Sequence, residues 1–174
     1  MLSYLFDGTF EGLLTCIHEA YYRHETPDHI IWGDQLQENL LTCCAQIPTD
    51  NGKADKVLHS IRAKISADAL EHAFHAYLSE INDIGVWIYR YLRLGWKVGP
   101  SVDRYLCEDE VSAVHEAGRK VEWESHKMLG LIRFRELEGG IFYAPIGPDH
   151  NIVSLVAPHF ADRLSDQTWM IHDV

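Results

Sequence analysis

The 174-residue sequence predicts an α+β fold in which several helices pack on a small, mostly antiparallel sheet with a C-terminal β-hairpin. Three observations lead there. Apolar residues recur at the i, i+3, i+4 spacing of a buried helical face through much of the chain up to Leu129. After Gly130 the period shortens to the alternation of strands. No repeat, low-complexity tract or linker interrupts the chain, so residues 1–174 read as a single domain, long enough to bury its own core.

Leu2 to Phe6 reads as a short strand, and Asp7-Gly8 turns it into a helix that Thr9 can cap. Phe10, Leu13, Leu14, Ile17, Ala20 and Tyr21 then supply the buried face. Between residues 24 and 52, Thr26-Pro27-Asp28 and Pro48-Thr49-Asp50-Asn51-Gly52 carry turn chemistry around a strand near Leu41 to Ile47. Helices follow over 53–65 and, capped by Ser66, over 67–81; Asn82-Asp83 can cap a third that runs to Trp96. Gly99-Pro100-Ser101 breaks it. A helix over 109–129 buries Val111, Val114, Gly118, Val121 and Met128. Leu131 to Leu137, a turn at Glu138-Gly139-Gly140 and Ile141 to Ile146 form the hairpin, Ile152 to Arg163 a short helix interrupted or started near Pro158, and Thr168 to His172 a closing strand.

Composition narrows the class of protein. No apolar run is long enough to span a bilayer, and the N-terminus lacks the basic start and cleavage site of a signal peptide, so a cytoplasmic location without membrane contact is expected. Cys16, Cys43, Cys44 and Cys107 are too few and too irregular for a disulfide framework and are expected as buried or half-buried thiols. The net charge of −11 opposes phosphate contact in general. It is uneven, however: residues 53–104 hold eight basic residues against six acidic ones and form the only positive third.

Three constellations can carry chemistry. His115, Arg119, Glu122 and His126 step by four, three and four residues along one helical face, a line able to bind a metal or phosphate or to serve as a solvated face of ion pairs. With no H-E-x-x-H signature, no residue is assigned as a metal ligand. The tail supplies His150, His159 and His172 close to Asp149, Asp162, Asp166 and Asp173, a set suited to proton transfer near neutral pH; for His159 a cap or core hydrogen bond is an equal alternative. Arg90, Arg93, Lys97 and Arg104, interleaved with Trp87, Tyr89, Tyr91 and Trp96, form the best basic-aromatic patch for nucleic acid, and Arg133 and Arg135 can extend it along the hairpin. Nucleophile-elbow, Walker and dinucleotide-binding glycine motifs are missing.

Several segments together resemble a known family. Tyr4-Leu5-Phe6-Asp7-Gly8-Thr9-Phe10-Glu11-Gly12, Tyr89-Arg90-Tyr91-Leu92-Arg93-Leu94-Gly95, Glu124-Ser125-His126-Lys127-Met128-Leu129-Gly130, Pro148-Asp149-His150, Pro158-His159-Phe160-Ala161-Asp162-Arg163 and Trp169-Met170-Ile171-His172-Asp173 are similar to a bacterial family of unknown function described as probable DNA-metabolism proteins. That resemblance implies association with a radical-SAM protein of DNA modification or repair, and with uracil-DNA glycosylase-like domains to which related domains are fused. It brings no established reaction and no residue roles.

The leading expectation is an accessory module in DNA repair or modification that docks a radical-SAM protein or a uracil-DNA glycosylase-like domain and touches DNA weakly through Arg90, Arg93, Lys97, Arg104, Arg133 and Arg135. The alternative is a nucleic-acid-processing enzyme with Glu124, His126, His159, His172 and Asp173 as catalytic candidates. A third is a small-molecule or metal-binding protein. The cofactor is left unassigned. Convergence of His126, His150, His159 and His172 around a pocket would favour an enzyme, and their dispersal the docking module.

Overall fold

A computed structural model describes residues 1–32 and 43–174. The chain opens with β1 (Leu2–Phe6), α1 (Phe10–Tyr22), β2 (His29–Trp32) and β3 (Cys43–Gln46). The strand expected near Leu41 to Ile47 is thus present from Cys43; Leu41 and Thr42 lie outside the described residues. β1 is the central strand, and both neighbours run parallel to it, with Tyr4 opposite Ile30 on one side and Ala45 on the other. For β2 the physical reason lies in α1. A helix between two strands carries the chain back to the starting end of the sheet, so the second strand enters in the same direction.

The entry to α1 is fixed by a small polar network. Asp7 Oδ1 accepts from the backbone N–H of Thr9 (3.0 Å) and from its hydroxyl (2.6 Å), and Thr9 Oγ1 in turn accepts from the Gly12 N–H at 3.0 Å. Thr49 donates to Asp7 Oδ2 at 2.7 Å, tying the segment after β3 to the loop after β1. A Cβ on Gly12 would lie 2.4 Å from Asp7 Oδ1, so only glycine allows this loop to close over the helix.

Four more helices follow: α2 (Asn51–Lys64), α3 (Ala67–Leu78), α4 (Ile84–Val98) and α5 (Asp109–Leu131), with a 3-10 turn at Gly99–Arg104 between the last two. Ser66 caps α3 as expected, its hydroxyl accepting from the Ala69 N–H at 2.9 Å. Asp83 does not cap α4. Its backbone is left-handed (φ 62°), and its carboxylate meets His29 Nδ1 at 2.7 Å. α4 instead starts where it packs on β2, with the Gly85 Cα so near the sheet that a Cβ would lie 2.5 Å from the Ile30 carbonyl oxygen.

α5 continues to Leu131, two residues beyond its expected end, and the first hairpin strand shrinks to β4 (Arg135–Leu137). Leu131 is therefore helical. β5 (Ile141–Ile146) pairs antiparallel with β4 across a turn whose Gly139 and Gly140 both have positive φ, at 89° and 74°. α6 (Val153–Arg163) then returns the chain to β6 (Thr168–Asp173), which pairs parallel with β5.

The α+β class is thus right but the expected mostly antiparallel sheet is not. Two three-stranded sheets are present among the described residues, one wholly parallel and one mixed, with β4–β5 the one antiparallel pair. Strand-forming segments in sequence do not reveal direction; the helices inserted between them decide it.

Tyr4, Leu13, Leu14, Ile30, Ile61, Ile88, Tyr91 and Leu92 centre one buried cluster around the parallel sheet. Ile132, Ala144, Ile146, Ile152, Val156 and Phe160 centre a second behind the mixed sheet. α5 serves both, through Val111 and Val114 in the first and Val121 in the second. No described helix is long and apolar enough to cross a membrane. Cys16 is buried, and burial pushes its thiol up to about 12, whereas Cys44 and Cys107 are exposed, against expectation.

Candidate functional site

A polar cluster that draws on three helices is built on Asp103. Val102, fully buried, anchors the 3-10 turn, and Ser101 donates to the Val98 carbonyl at 3.0 Å, which fixes how the turn leaves α4. Asp103 Oδ1 then receives the Tyr91 hydroxyl from α4 at 2.7 Å, Nε2–H of His115 from α5 at 2.8 Å and Nδ1–H of His72 from α3 at 3.2 Å. An ionised carboxylate only accepts, so the three partners must be the donors. Burial opposes the charge on Asp103, but the hydrogen bonds from Tyr91 and His115 and the His72 imidazole outweigh it and hold the carboxyl below its usual range. Tyr91 moves the other way. Its buried phenol, facing a carboxylate, is pushed well above its ordinary value.

The two imidazoles lie with ring centroids 4.4 Å apart at the edge of a groove of about 520 Å³. Arg119, Ser112, Glu116 and Glu122 line the same groove. Glu122 accepts from Nδ1–H of His75 at 2.8 Å, so α3 and α5 are joined twice, by His72–Asp103–His115 and by His75–Glu122. Among the described residues, His72, Asp103 and His115 are the one group of three His, Cys, Asp or Glu residues whose ligand atoms all lie within 4.8 Å of one another.

Of the helical line read from sequence, His115, Arg119 and Glu122 reach this groove and the exposed His126 is not among its lining residues. Sequence patterning gives little sign that Tyr91, His72, His75 and Asp103 join it. Tyr91 reads as one more aromatic of α4, and Asp103 sits alone after a Gly-Pro break. The one local signal was the pair His72 and His75, three residues apart and hence on one face.

The catalytic candidates lie elsewhere. Glu124 accepts from the backbone N–H groups of Asp149 (2.7 Å) and His150 (3.0 Å), clamping the turn between β5 and α6. His159 is exposed on α6 with its ring edge-on to Phe160. His172 Nδ1 lies 2.8 Å from the Tyr143 hydroxyl, and Asp173 ends β6 opposite Ile146. None of Glu124, His126, His159, His172 and Asp173 belongs to the three-residue group around Asp103.

Arg90, Arg93, Lys97 and Arg104 are all exposed, but the aromatics between them are largely engaged. Tyr89 and Tyr91 are buried, Trp96 donates to Ser60 at 3.1 Å, and Arg90 itself covers Trp87 at 5.2 Å from the ring centroid. Arg133 does not join the hairpin face: its guanidinium donates to the carbonyls of Gly130 (2.8 Å) and Ile132 (3.0 Å) at the end of α5. Arg135 does, lying 5.2 Å over the Tyr143 ring.

Arg135 belongs to the outer face of the mixed sheet. Strand alternation and register place Arg135 and Leu137 of β4, Ile141, Tyr143 and Pro145 of β5, and Met170 and His172 of β6 on one side. Phe142, Ala144 and Ile146 alternate with them on the other side, with Ala144 and Ile146 buried. Leu137, Ile141 and Met170 are exposed by 41%, 36% and 54%, which leaves an apolar surface flanked by Arg135 and His172.

The family described as a domain of unknown function, DUF4130, matches residues 82–174, more than half of the chain. The chain belongs to that family. The DUF4130 region starts just before α4 and takes in Tyr91, Asp103, His115 and the whole mixed sheet, whereas His72 comes from the α3 helix outside it. No curated protein and no solved structure matches the chain.

Proposed function

We propose that this DUF4130 protein is an accessory module in DNA repair or modification, docking a radical-SAM or glycosylase-type partner through the outer face of its mixed sheet. The observation that carries the docking is that face itself. Leu137, Ile141 and Met170 are exposed side by side around Tyr143, with Arg135 and His172 at the margin, an apolar centre with a polar rim such as protein interfaces have. The resemblance to DNA-metabolism proteins supports the choice of partner. Contact with DNA is weak in this reading: the chain carries −11, and Arg90, Arg93 and Lys97 offer phosphate contacts with few free aromatic faces beside them.

Co-expression of the full chain with each partner class tests the proposal. Wild-type protein is expected to co-purify with one of them, and the double substitution Leu137→Glu with Met170→Glu to reduce capture by about tenfold or more while the fold is kept, since both side chains are exposed. Oligonucleotide binding is expected to be weak and to vanish with added salt. Failure of the wild-type chain to bind either partner, or any oligonucleotide at low salt, overturns it.

A further inference from the structure

We propose that His72, Asp103 and His115 form a binding site for a divalent first-row transition-metal ion, held by Nδ1 of His72, a carboxylate oxygen of Asp103 and Nε2 of His115. The three ligand atoms come from α3, the 3-10 turn and α5 and already lie within 4.8 Å of one another. Their separations from Asp103 Oδ1 are 3.2 and 2.8 Å. Two ligands each about 2.1 Å from one ion lie roughly 3.0–3.4 Å apart in octahedral or tetrahedral geometry; both separations from Asp103 lie near that range, and the two ring nitrogens, within 4.8 Å of each other, are close enough to share the ion.

The donor set selects the metal class. Two imidazoles with one carboxylate suit zinc, iron, cobalt or manganese in the divalent state, whereas magnesium and calcium prefer oxygen alone. Tyr91 completes the design. Its buried hydroxyl holds the Asp103 carboxylate in place at 2.7 Å, as the outer hydrogen-bonding shell of a metal site does. The groove beside the histidines leaves the remaining coordination positions accessible, and Arg119 on its wall favours an anionic oxygen as an added ligand.

Without metal, each ring gives its inner N–H to Asp103. Binding requires a lone pair at that nitrogen, so a neutral ring moves its proton to the outer nitrogen and a protonated ring releases one. Binding is therefore coupled to proton movement at both rings.

The test uses the full chain, stripped with a chelator and dialysed, with Zn²⁺ followed by calorimetry and Co²⁺ by its visible absorption. One equivalent is expected to bind, with affinity reduced about 100-fold or more in His72→Ala and in His115→Ala and about tenfold in Tyr91→Phe, the last in the range of an outer-shell loss. Far-ultraviolet circular dichroism verifies that each variant is folded. Should His115→Ala not fold, histidine ring NMR of wild-type protein replaces it: Zn²⁺ is expected to move the resonances of His72 and His115 and leave those of His126 and His159 in place. Absence of stoichiometric binding, unchanged affinity in folded His72→Ala, or shifts centred on other histidines overturns the site.

Discussion

Tyr91 and Asp103 are joined by a 2.7 Å hydrogen bond whose donor ring is wholly buried, and the same carboxylate oxygen takes His115 and His72. One residue of a short turn thereby links three helices. Removing the phenolic oxygen deletes a bond to a charged acceptor without opening a large cavity. Tyr91→Phe is expected to lower the unfolding free energy by about 1.5–3 kcal/mol, in the range for hydrogen bonds to charged groups, measured by urea denaturation. A loss below about 0.5 kcal/mol would show that water replaces the hydroxyl.

Acid should weaken the protein in a defined direction. Asp7, Glu19 and Asp103 all have carboxyls held below their ordinary range: Asp7 and Asp103 by hydrogen bonds that outweigh burial, Glu19 chiefly by Lys53 and Arg23. A native carboxylate of depressed pKa binds its proton less readily than the unfolded one. The stability these groups contribute is therefore full above the ordinary values near 4 and is lost as pH falls through the lower native ones. Asp103→Asn is expected to be less stable than wild type at pH 7, with the gap narrowing toward pH 3. Parallel curves across that interval would exclude an ionised Asp103 as the source.

Local features of the chain are legible in the sequence and long-range ones are not. Thr9 and Ser66 cap where the sequence says, because a cap is decided by neighbours within three residues. Strand direction and the Asp103 cluster were hidden for the same physical reason: both depend on partners far apart in sequence. His72 meets Asp103 across 31 positions, and Glu124 meets His150 across 26. Glu124 looked like an acid–base candidate since a carboxylate near histidines in sequence gives no hint that two backbone amides already occupy its oxygens.

Two glycines should respond oppositely to the same substitution. A Cβ at Gly12 meets Asp7 Oδ1 at 2.4 Å and Phe6 and Thr49 atoms at 2.9 Å, so Gly12→Ala must push apart the loop that joins β1, α1 and the Thr49 segment. A loss of about 1–3 kcal/mol is expected, as for overpacking. Gly130 lies within α5 and a Cβ there meets nothing within 4 Å. Gly130→Ala should stabilise by about 0.4–1 kcal/mol through the unfolded chain's reduced freedom. Thermal unfolding of the pair reads both signs at once, and a destabilising Gly130→Ala would mean that this end of α5 is covered by a partner.

Glu124→Gln separates a structural carboxylate from a catalytic one. The ionised side chain accepts two backbone N–H bonds, at 2.7 and 3.0 Å, from the turn that leads into α6. A glutamine retains one carbonyl acceptor and turns an amide NH₂ toward the other backbone donor, so one of the two bonds is lost and the second weakens with the charge. Hydrogen exchange at the Asp149 and His150 amides is expected to accelerate about tenfold, with a stability loss of about 1–2 kcal/mol. The metal site should not notice: Glu124 is absent from the residues that line its groove, so Co²⁺ affinity is expected to match wild type. If exchange at these two amides stayed at the wild-type rate while a partner's activity collapsed, Glu124 would have to act on something other than its own turn.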